Sequence, residues 1–274
     1  LKKVKSKVLF DGIGGSKMKP FLRNQLYSIK EFKTIGIFEV LISLFKYLKM
    51  INNITNHIIK LNYDLIITID SPDFNYPLTK KLRKKNYEGK IIQIVAPSVW
   101  AWRSYRAKKF AKVFDEIYTL FPFENKYFER HNLKSTYIGH PIFNIKKTTK
   151  KFKKKQIVAF LPGSRNGEIE SLFYYFQLAY LHLFKNKNDY IIFIPTLPHL
   201  EKIIKYKTKD WKIKTIVSTN PNKIENYFSK TKIALVCSGT ATLEIAKRNI
   251  PQLILYKLNI FTEVILMIFI KIKF

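Results

Sequence analysis

The sequence predicts an α/β protein built from two Rossmann-like, doubly wound parallel-sheet domains. Short β-branched apolar runs alternate with Lys-rich amphipathic segments along all 274 residues. This alternation is typical of βαβ units whose strands are covered on both faces. At roughly 150 residues per domain, the length indicates two domains. The Lys- and Thr-rich stretch Asn144–Lys155 lacks a periodic apolar face and lies near the middle, as a linker would, so we predict domains at 1–145 and 146–274.

Strands and helices alternate in order along the chain. The predicted strands are Val8–Phe10, Asp64–Ile69, Lys90–Val95, Glu116–Leu120, Gln156–Leu161, Tyr190–Ile194, Lys214–Val217, Ile233–Cys237 and Gln252–Tyr256. The helix-length segments between them are Glu39–Lys60, Asn75–Lys85, Glu168–Asn186, Asn222–Ser229 and Thr240–Arg248. Ligands of open α/β sheets bind beyond the carboxyl ends of the strands, so functional residues are expected in the turns that follow these strands.

Composition excludes several classes of protein. Hydrophobic residues make up 47% of the chain, which rules out a disordered protein. The 50 Lys and Arg against 19 Asp and Glu give a net charge of +31, which suits a polyanion or an anionic membrane surface. Mutational drift in base composition explains the same excess of Lys, and both interpretations stay open. A single cysteine, Cys237, excludes an internal disulfide, and Val264–Ile270 is too short to span a membrane.

Two turns in the second half have the composition of anion-binding loops. The strand Gln156–Leu161 runs into Gly163, Ser164 and Arg165, and a helix then begins at Glu168. Glycine permits close backbone approach, a helix start supplies N–H groups, and arginine offers a fork for phosphate oxygens. The alternative is an ordinary βα turn with a solvated arginine.

The second such turn follows Ile233–Cys237 and contains Ser238, Gly239 and Thr240. Glu244 lies one turn into the next helix, where its carboxylate could hold ribose hydroxyls or simply stabilise the helix dipole. Either turn alone is weak support, but two at one edge of one sheet favour an anion site.

The first half carries one candidate general base. Asp70 stands at the carboxyl end of the strand Asp64–Ile69, where a carboxylate can accept a proton from a hydroxyl. A loop carboxylate bonded to nearby backbone N–H groups is an equally good interpretation. Asp73 is placed as the N-cap of the following helix.

The strand Lys90–Val95 leads into aromatic and basic residues. Ser98, Trp100 and Arg103 could form a wall against a sugar or an acyl chain, although core packing explains the tryptophans at least as well. The sequence offers no dinucleotide fingerprint, since Lys17 replaces its third glycine, and no phosphate loop, metal-ligand spacing or cofactor site.

Taken together, the motifs resemble those of the lipid-A-disaccharide synthase family. They are Ile69–Asn75 (IDSPDFN), Ala96–Arg103 (APSVWAWR), Gly139–Pro141 (GHP), Leu161–Arg165 (LPGSR) and Ser238–Glu244 (SGTATLE). The resemblance implies a GT-B fold whose two domains face a cleft. It also implies a metal- and cofactor-independent, inverting hexosyltransferase that joins UDP-2,3-diacylglucosamine to 2,3-diacylglucosamine 1-phosphate and releases UDP. The family works in lipid A synthesis, peripherally on the inner face of the cytoplasmic membrane.

The resemblance also implies residue roles. Asp70 corresponds to the catalytic aspartate, Arg165 to the arginine that supports the departing diphosphate, and the turn Ser238–Thr240 with Glu244 to the nucleotide site. Gly163 and Ser164 belong to the donor loop. On the acceptor or lipid side lie Ser98, Trp100 and Arg103.

Compared with the family pattern, the sequence lacks the opening strand with its G-E-x-S-G-D loop and the closing C-terminal segment. This implies that both domains are incomplete at the chain ends and that the 274-residue chain by itself is inactive. The alternatives are another UDP-sugar GT-B transferase with a lipid-linked acceptor, a non-catalytic remnant of the synthase gene, and, least favoured, a basic nucleic-acid-binding protein. Nucleic-acid binding would gather the positive charge along one groove, whereas Lys is spread throughout.

Overall fold

A computed structural model describes residues 8–32, 40–101, 103–144, 156–185 and 189–257. These form two compact units that meet in sequence between Gly139 and His140, called here the N-terminal and C-terminal units. Trp102, the run Val264–Ile270 and nearly all of the predicted linker lie outside the described residues. No helix in the described ranges has the length and apolar character needed to cross a bilayer.

The N-terminal unit contains a four-stranded parallel sheet with strand order β3-β4-β5-β6, and a separate parallel pair, β1-β2. Its strands are β1 (Asp11–Gly14), β2 (Asn24–Ser28), β3 (Leu65–Ile69), β4 (Lys90–Ile94), β5 (Glu116–Thr119) and β6 (Lys134–Tyr137). Its helices are α1 (Val40–Leu61), α2 (Pro72–Lys84), α3 (Arg106–Phe110) and α4 (Lys126–Glu129). Buried residues of α1 repeat at helical spacing, so one stripe of this helix packs into the core; they are Met50, Ile51, Ile54 and Ile58.

The C-terminal unit is a five-stranded parallel sheet with strand order β11-β10-β7-β8-β9. Its strands are β7 (Gln156–Leu161), β8 (Tyr190–Pro195), β9 (Thr215–Ser218), β10 (Thr231–Cys237) and β11 (Gln252–Leu255). Its helices are α5 (Asn166–Ala179), which continues as a π-helical turn to Phe184, α6 (Glu201–Lys207), α7 (Pro221–Phe228) and α8 (Thr240–Lys247).

Both faces of the central strand of this second sheet, β7, are buried. Val158 and Phe160 of β7 belong to one apolar cluster, whereas Ile157, Ala159 and Leu161 belong to another on the opposite face. Successive side chains of a strand point to opposite faces, so β7 is covered on both sides, as a continuous apolar run predicts.

The strand predictions were wrong at three places. Val8–Phe10 is not a strand; Phe10 accepts one backbone hydrogen bond from Arg23, and the ladder begins at Asp11. Strands β2 and β6 were not predicted, because both are mainly polar in sequence and lack the apolar run that indicates a buried strand; β6 is largely exposed and β2 is half-buried.

A buried carboxylate ties the β1-β2 pair to the end of α1. Asp11 accepts two hydrogen bonds from the Arg23 guanidinium and one of 2.5 Å from the Tyr63 hydroxyl, which also contacts His57. The Arg23 hydrogen bonds hold the pKa of Asp11 well below its usual value of 3.8. Burial and the bond to Asp11 raise the pKa of Tyr63 to about 12.

Asp11 therefore makes the free energy of unfolding depend on pH. Because its pKa is lower in the folded state, its contribution is present above pH 3.8 and is lost as the pH falls further. At neutral pH we expect Asp11→Asn to lower the free energy of unfolding by about 2 kcal/mol. Urea denaturation between pH 7 and pH 2.5 should show this difference shrinking as the pH falls; a constant difference would contradict the assignment.

Candidate functional site

The two anion-loop candidates of the C-terminal unit lie side by side. Strand order reverses between β7 and β10, which pair in parallel with Leu161 opposite Val236. The loop after β7 contains Gly163–Arg165, and the loop after β10 contains Ser238–Thr240. Both loops therefore stand at the carboxyl edge of the sheet, at the topological switch point where open α/β sheets bind ligands.

The first loop is held in shape by Glu168. Its carboxylate accepts the backbone N–H groups of Ser164, at 2.7 Å, and Arg165, at 3.2 Å, so these two donors are not free as the sequence suggested. Gly163 adopts φ +125°, and a Cβ there would lie 2.7 Å from Glu168, so both conformation and space require glycine. Helix α5 begins at Asn166 rather than at Glu168, whose carboxylate caps it.

The side chains of both loops are accessible to a ligand. Arg165 is 82% exposed, and its single ion pair among the described residues is a 3.3 Å contact with Glu168, which leaves most of its guanidinium donors open. Ser238, Gly239 and Thr240 are exposed, and Gly239 accepts hydrogen bonds from Thr242 that fix the start of α8. This arrangement can receive a phosphate between the Arg165 guanidinium, the hydroxyls of Ser238 and Thr240, and the backbone amides at the start of α8.

Glu244 has a partner that the sequence analysis missed. Arg248, whose side chain is 1% exposed, donates to Glu244 at 3.0 Å and makes two bonds to Glu225 at 2.6 and 2.7 Å. These carboxylates raise the pKa of Arg248 against the effect of its burial. An arginine four residues after Glu244 on the same helix is the sequence signal that could have revealed this pair.

In the N-terminal unit, Asp70 lies in a strained turn at the carboxyl end of β3. Asp70 and Ser71 adopt φ of +52° and +43°, and Val95 at the end of the neighbouring strand adopts +69°. Left-handed backbone at residues other than glycine costs about 1–3 kcal/mol each and is concentrated at functional sites. The Asp70 side chain is exposed, and no hydrogen bond to its carboxylate is found among the described residues.

Asp73 is not an N-cap, contrary to the sequence prediction. Helix α2 begins at Pro72, and the residue in the cap position is Ser71, whose side chain makes no cap bond because its backbone is left-handed. Asp73 lies within the first turn and pairs with Arg106 of α3.

The loop that follows β4 begins beside Asp70, since Ile69 pairs with Ile94 and the Asp70 amide donates to the Ile94 carbonyl at 2.8 Å. Ser98 and Arg103 are exposed, and Trp100 is 46% exposed with its ring edge-on to Phe123. An accessible tryptophan paired with a phenylalanine provides an apolar surface at the same sheet edge as Asp70.

Cys237 takes no part in this site. It is buried in the core beneath the second loop, and burial raises the pKa of its thiol. A thiol of raised pKa is a poor nucleophile at neutral pH. In the described ranges, no group of three or more His, Cys, Asp or Glu could hold a metal ion.

The sequence matches the family described as Lipid-A-disaccharide synthetase over residues 1–274. It is similar to the lipid-A-disaccharide synthase of Rickettsia conorii, with 36% identity over 282 residues that cover 99% of this chain and 63% of that protein. It is 37% identical to the Rickettsia prowazekii enzyme of the same name, covering 97% of this chain and 72% of that protein. The chain thus spans just under two thirds of the first of these relatives.

Solved structures share the fold at low sequence identity. UDP-GlcNAc 2-epimerase from Neisseria meningitidis, bound to UDP-GlcNAc, has a TM-score of 0.59 at 11% identity and covers 94% of this chain and 85% of that one. MurG of Acinetobacter baumannii has a TM-score of 0.50 at 10% identity and covers 91% and 79%. These likenesses confirm the predicted GT-B class of two parallel-sheet, Rossmann-like units.

Proposed function

The chain belongs to the lipid-A-disaccharide synthetase family, and from this premise we propose that it transfers 2,3-diacylglucosamine from UDP to 2,3-diacylglucosamine 1-phosphate. The observation that carries the proposal is the pair of loops at the switch point of the C-terminal unit, with Arg165 exposed beside Ser238–Thr240. We assign the UDP-sugar to the domain at 146–274 and the acceptor to the domain at 1–145.

In the proposed mechanism, Asp70 accepts the proton of the acceptor's 6-hydroxyl as its oxygen attacks the anomeric carbon of the donor. The bond from that carbon to the diphosphate oxygen breaks, and configuration inverts. UDP leaves with a negative charge that the Arg165 guanidinium and the backbone amides at the start of α8 stabilise. Glu244, held by Arg248, faces the ribose hydroxyls of UDP.

We assign Ser98, Trp100 and Arg103 to the acceptor or lipid side, and we place the protein peripherally on the inner face of the cytoplasmic membrane. Trp100 is exposed at the same sheet edge as Asp70, which suits contact with an acyl chain. The net charge of +31 favours an anionic surface, at about 1 kcal/mol per Lys or Arg close to the lipid.

The proposal is tested on the chain extended at both ends with the corresponding segments of the Rickettsia prowazekii relative, here called the completed enzyme. The completed enzyme is supplied with UDP-2,3-diacylglucosamine and the monosaccharide 1-phosphate in detergent micelles, and the kinetics of all variants are measured in it. We expect a disaccharide 1-phosphate and one equivalent of UDP, measured by mass spectrometry. A parallel reaction with a lipid-linked peptidoglycan precursor as acceptor should give no product. Transfer to that precursor instead would replace this proposal with the alternative GT-B function.

A further inference from the structure

A buried glutamine reaches into the turn that carries Asp70. Gln93 lies in β4 within an otherwise apolar run and is completely buried. Its amide nitrogen lies 3.0–3.1 Å from three backbone carbonyls, those of Asp70, Ile94 and Val95, which share its two N–H groups. Two of these carbonyls belong to residues with left-handed backbone. One side chain therefore bridges the ends of β3 and β4 where both strands are strained.

The orientation of this glutamine is itself fixed. Thr68 of β3, also buried, donates from its hydroxyl to the Gln93 side-chain oxygen at 2.6 Å. An amide whose oxygen accepts from Thr68 must point its nitrogen toward the Asp70 carbonyl. The Ile92 carbonyl lies 3.1 Å from the Thr68 hydroxyl and can share its single proton only as the weaker half of a bifurcated bond.

A second buried amide holds the same carbonyl from the helix side. Asn75 of α2 donates from its side chain to the Asp70 carbonyl at 2.5 Å. The Asp70 carbonyl is thus clamped between two amides, one from the sheet and one from the helix. A polar network inside an apolar core destabilises the fold unless each polar group has a hydrogen-bond partner. In this network both side-chain amides donate to the carbonyl of one strained turn.

We propose that Gln93 is a positioning residue for the reaction. Thr68 fixes the orientation of its side-chain amide, and Asn75 donates to the same Asp70 carbonyl. The network holds Asp70 and Ser71 in the left-handed conformation and so keeps the Asp70 carboxylate outside the sheet edge, where it meets the acceptor hydroxyl. For the chemistry of Asp70 the inference rests on the proposed function; for the conformation of the turn it does not.

The test compares Gln93→Met and Thr68→Val with Thr55→Val. Thr55 is an equally buried threonine of the same unit, and its hydroxyl bonds only within α1, to Ile51, so it controls for lost stability. Because small misplacements of a reacting group cost up to roughly a hundredfold, we expect kcat to fall about 10–100-fold in Gln93→Met and about 3–10-fold in Thr68→Val. KM for the UDP-sugar should stay unchanged in both, and Thr55→Val should keep its kcat.

Crystal structures of the same variants form a separate arm. We expect Asp70 and Ser71 to relax to negative φ in Gln93→Met while the β3-β4 register is kept. Positive φ retained in both variants would overturn the inference, as would a Thr68→Val kcat equal to that of Thr55→Val. If Asp70→Asn leaves turnover intact while the turn still relaxes in Gln93→Met, the role proposed for Asp70 fails and the conformational role of Gln93 stands.

Discussion

Asp70→Asn is expected to lower turnover by about two to four orders of magnitude, the range for loss of a positioned general base. The amide has the shape of the carboxylate but cannot accept the acceptor's proton at neutral pH. Asparagine also tolerates left-handed backbone, so the φ of +52° at this position should survive. Steady-state kinetics with both substrates would measure the effect.

The matched control is Asp73→Asn, three residues away. Asp73 pairs with Arg106 at the surface rather than facing the reaction, so we expect its turnover to stay within a few-fold of wild type. UDP affinity should be unchanged in Asp70→Asn, because the loops proposed to bind UDP belong to the C-terminal unit. Equal kinetics for both variants would show that Asp70 is only a loop residue.

Arg165→Ala is expected to weaken UDP binding about tenfold or more and to slow turnover further. A charge-assisted hydrogen bond contributes about 1.5–3 kcal/mol, and the guanidinium fork of Arg165 can make two to a diphosphate. The side chain is 82% exposed and held only by a 3.3 Å contact with Glu168, so its removal should not disturb the fold. Isothermal titration with UDP and thermal shift measurements would separate affinity from stability.

Two further variants sharpen this test. Arg165→Lys keeps the charge but loses the fork and should recover affinity only in part. Arg130→Ala removes a guanidinium at the end of α4, where it lies over Tyr127, and should leave UDP binding unchanged. Equal UDP affinity in Arg165→Ala and wild type would remove Arg165 from the donor site.

The local sequence pattern was enough to locate the two loops that we propose bind UDP. Apolar runs located β7 and β10, and the small and basic residues after them marked the loops that the structure places next to each other. The sequence pattern failed to predict structure at positions where burial does not determine the residue type. The polar strands β2 and β6 resemble loops in sequence, and Asp73 resembles an N-cap because a cap is defined by backbone angles that spacing does not encode.

The sequence by itself determined the fold class, the family and the residue types available for chemistry, because apolar periodicity and short motifs are local properties of the chain. Only the tertiary structure decided which side chains and backbone groups form hydrogen bonds with those residues. Gln93 bonds to the carbonyl of Asp70, 23 positions away, and Arg248 to Glu225, also 23 positions away. Such pairs form when strand order and helix packing bring distant segments together. A buried polar side chain needs a hydrogen-bond partner to offset the cost of its desolvation, and the position of that partner follows no periodic pattern in the sequence.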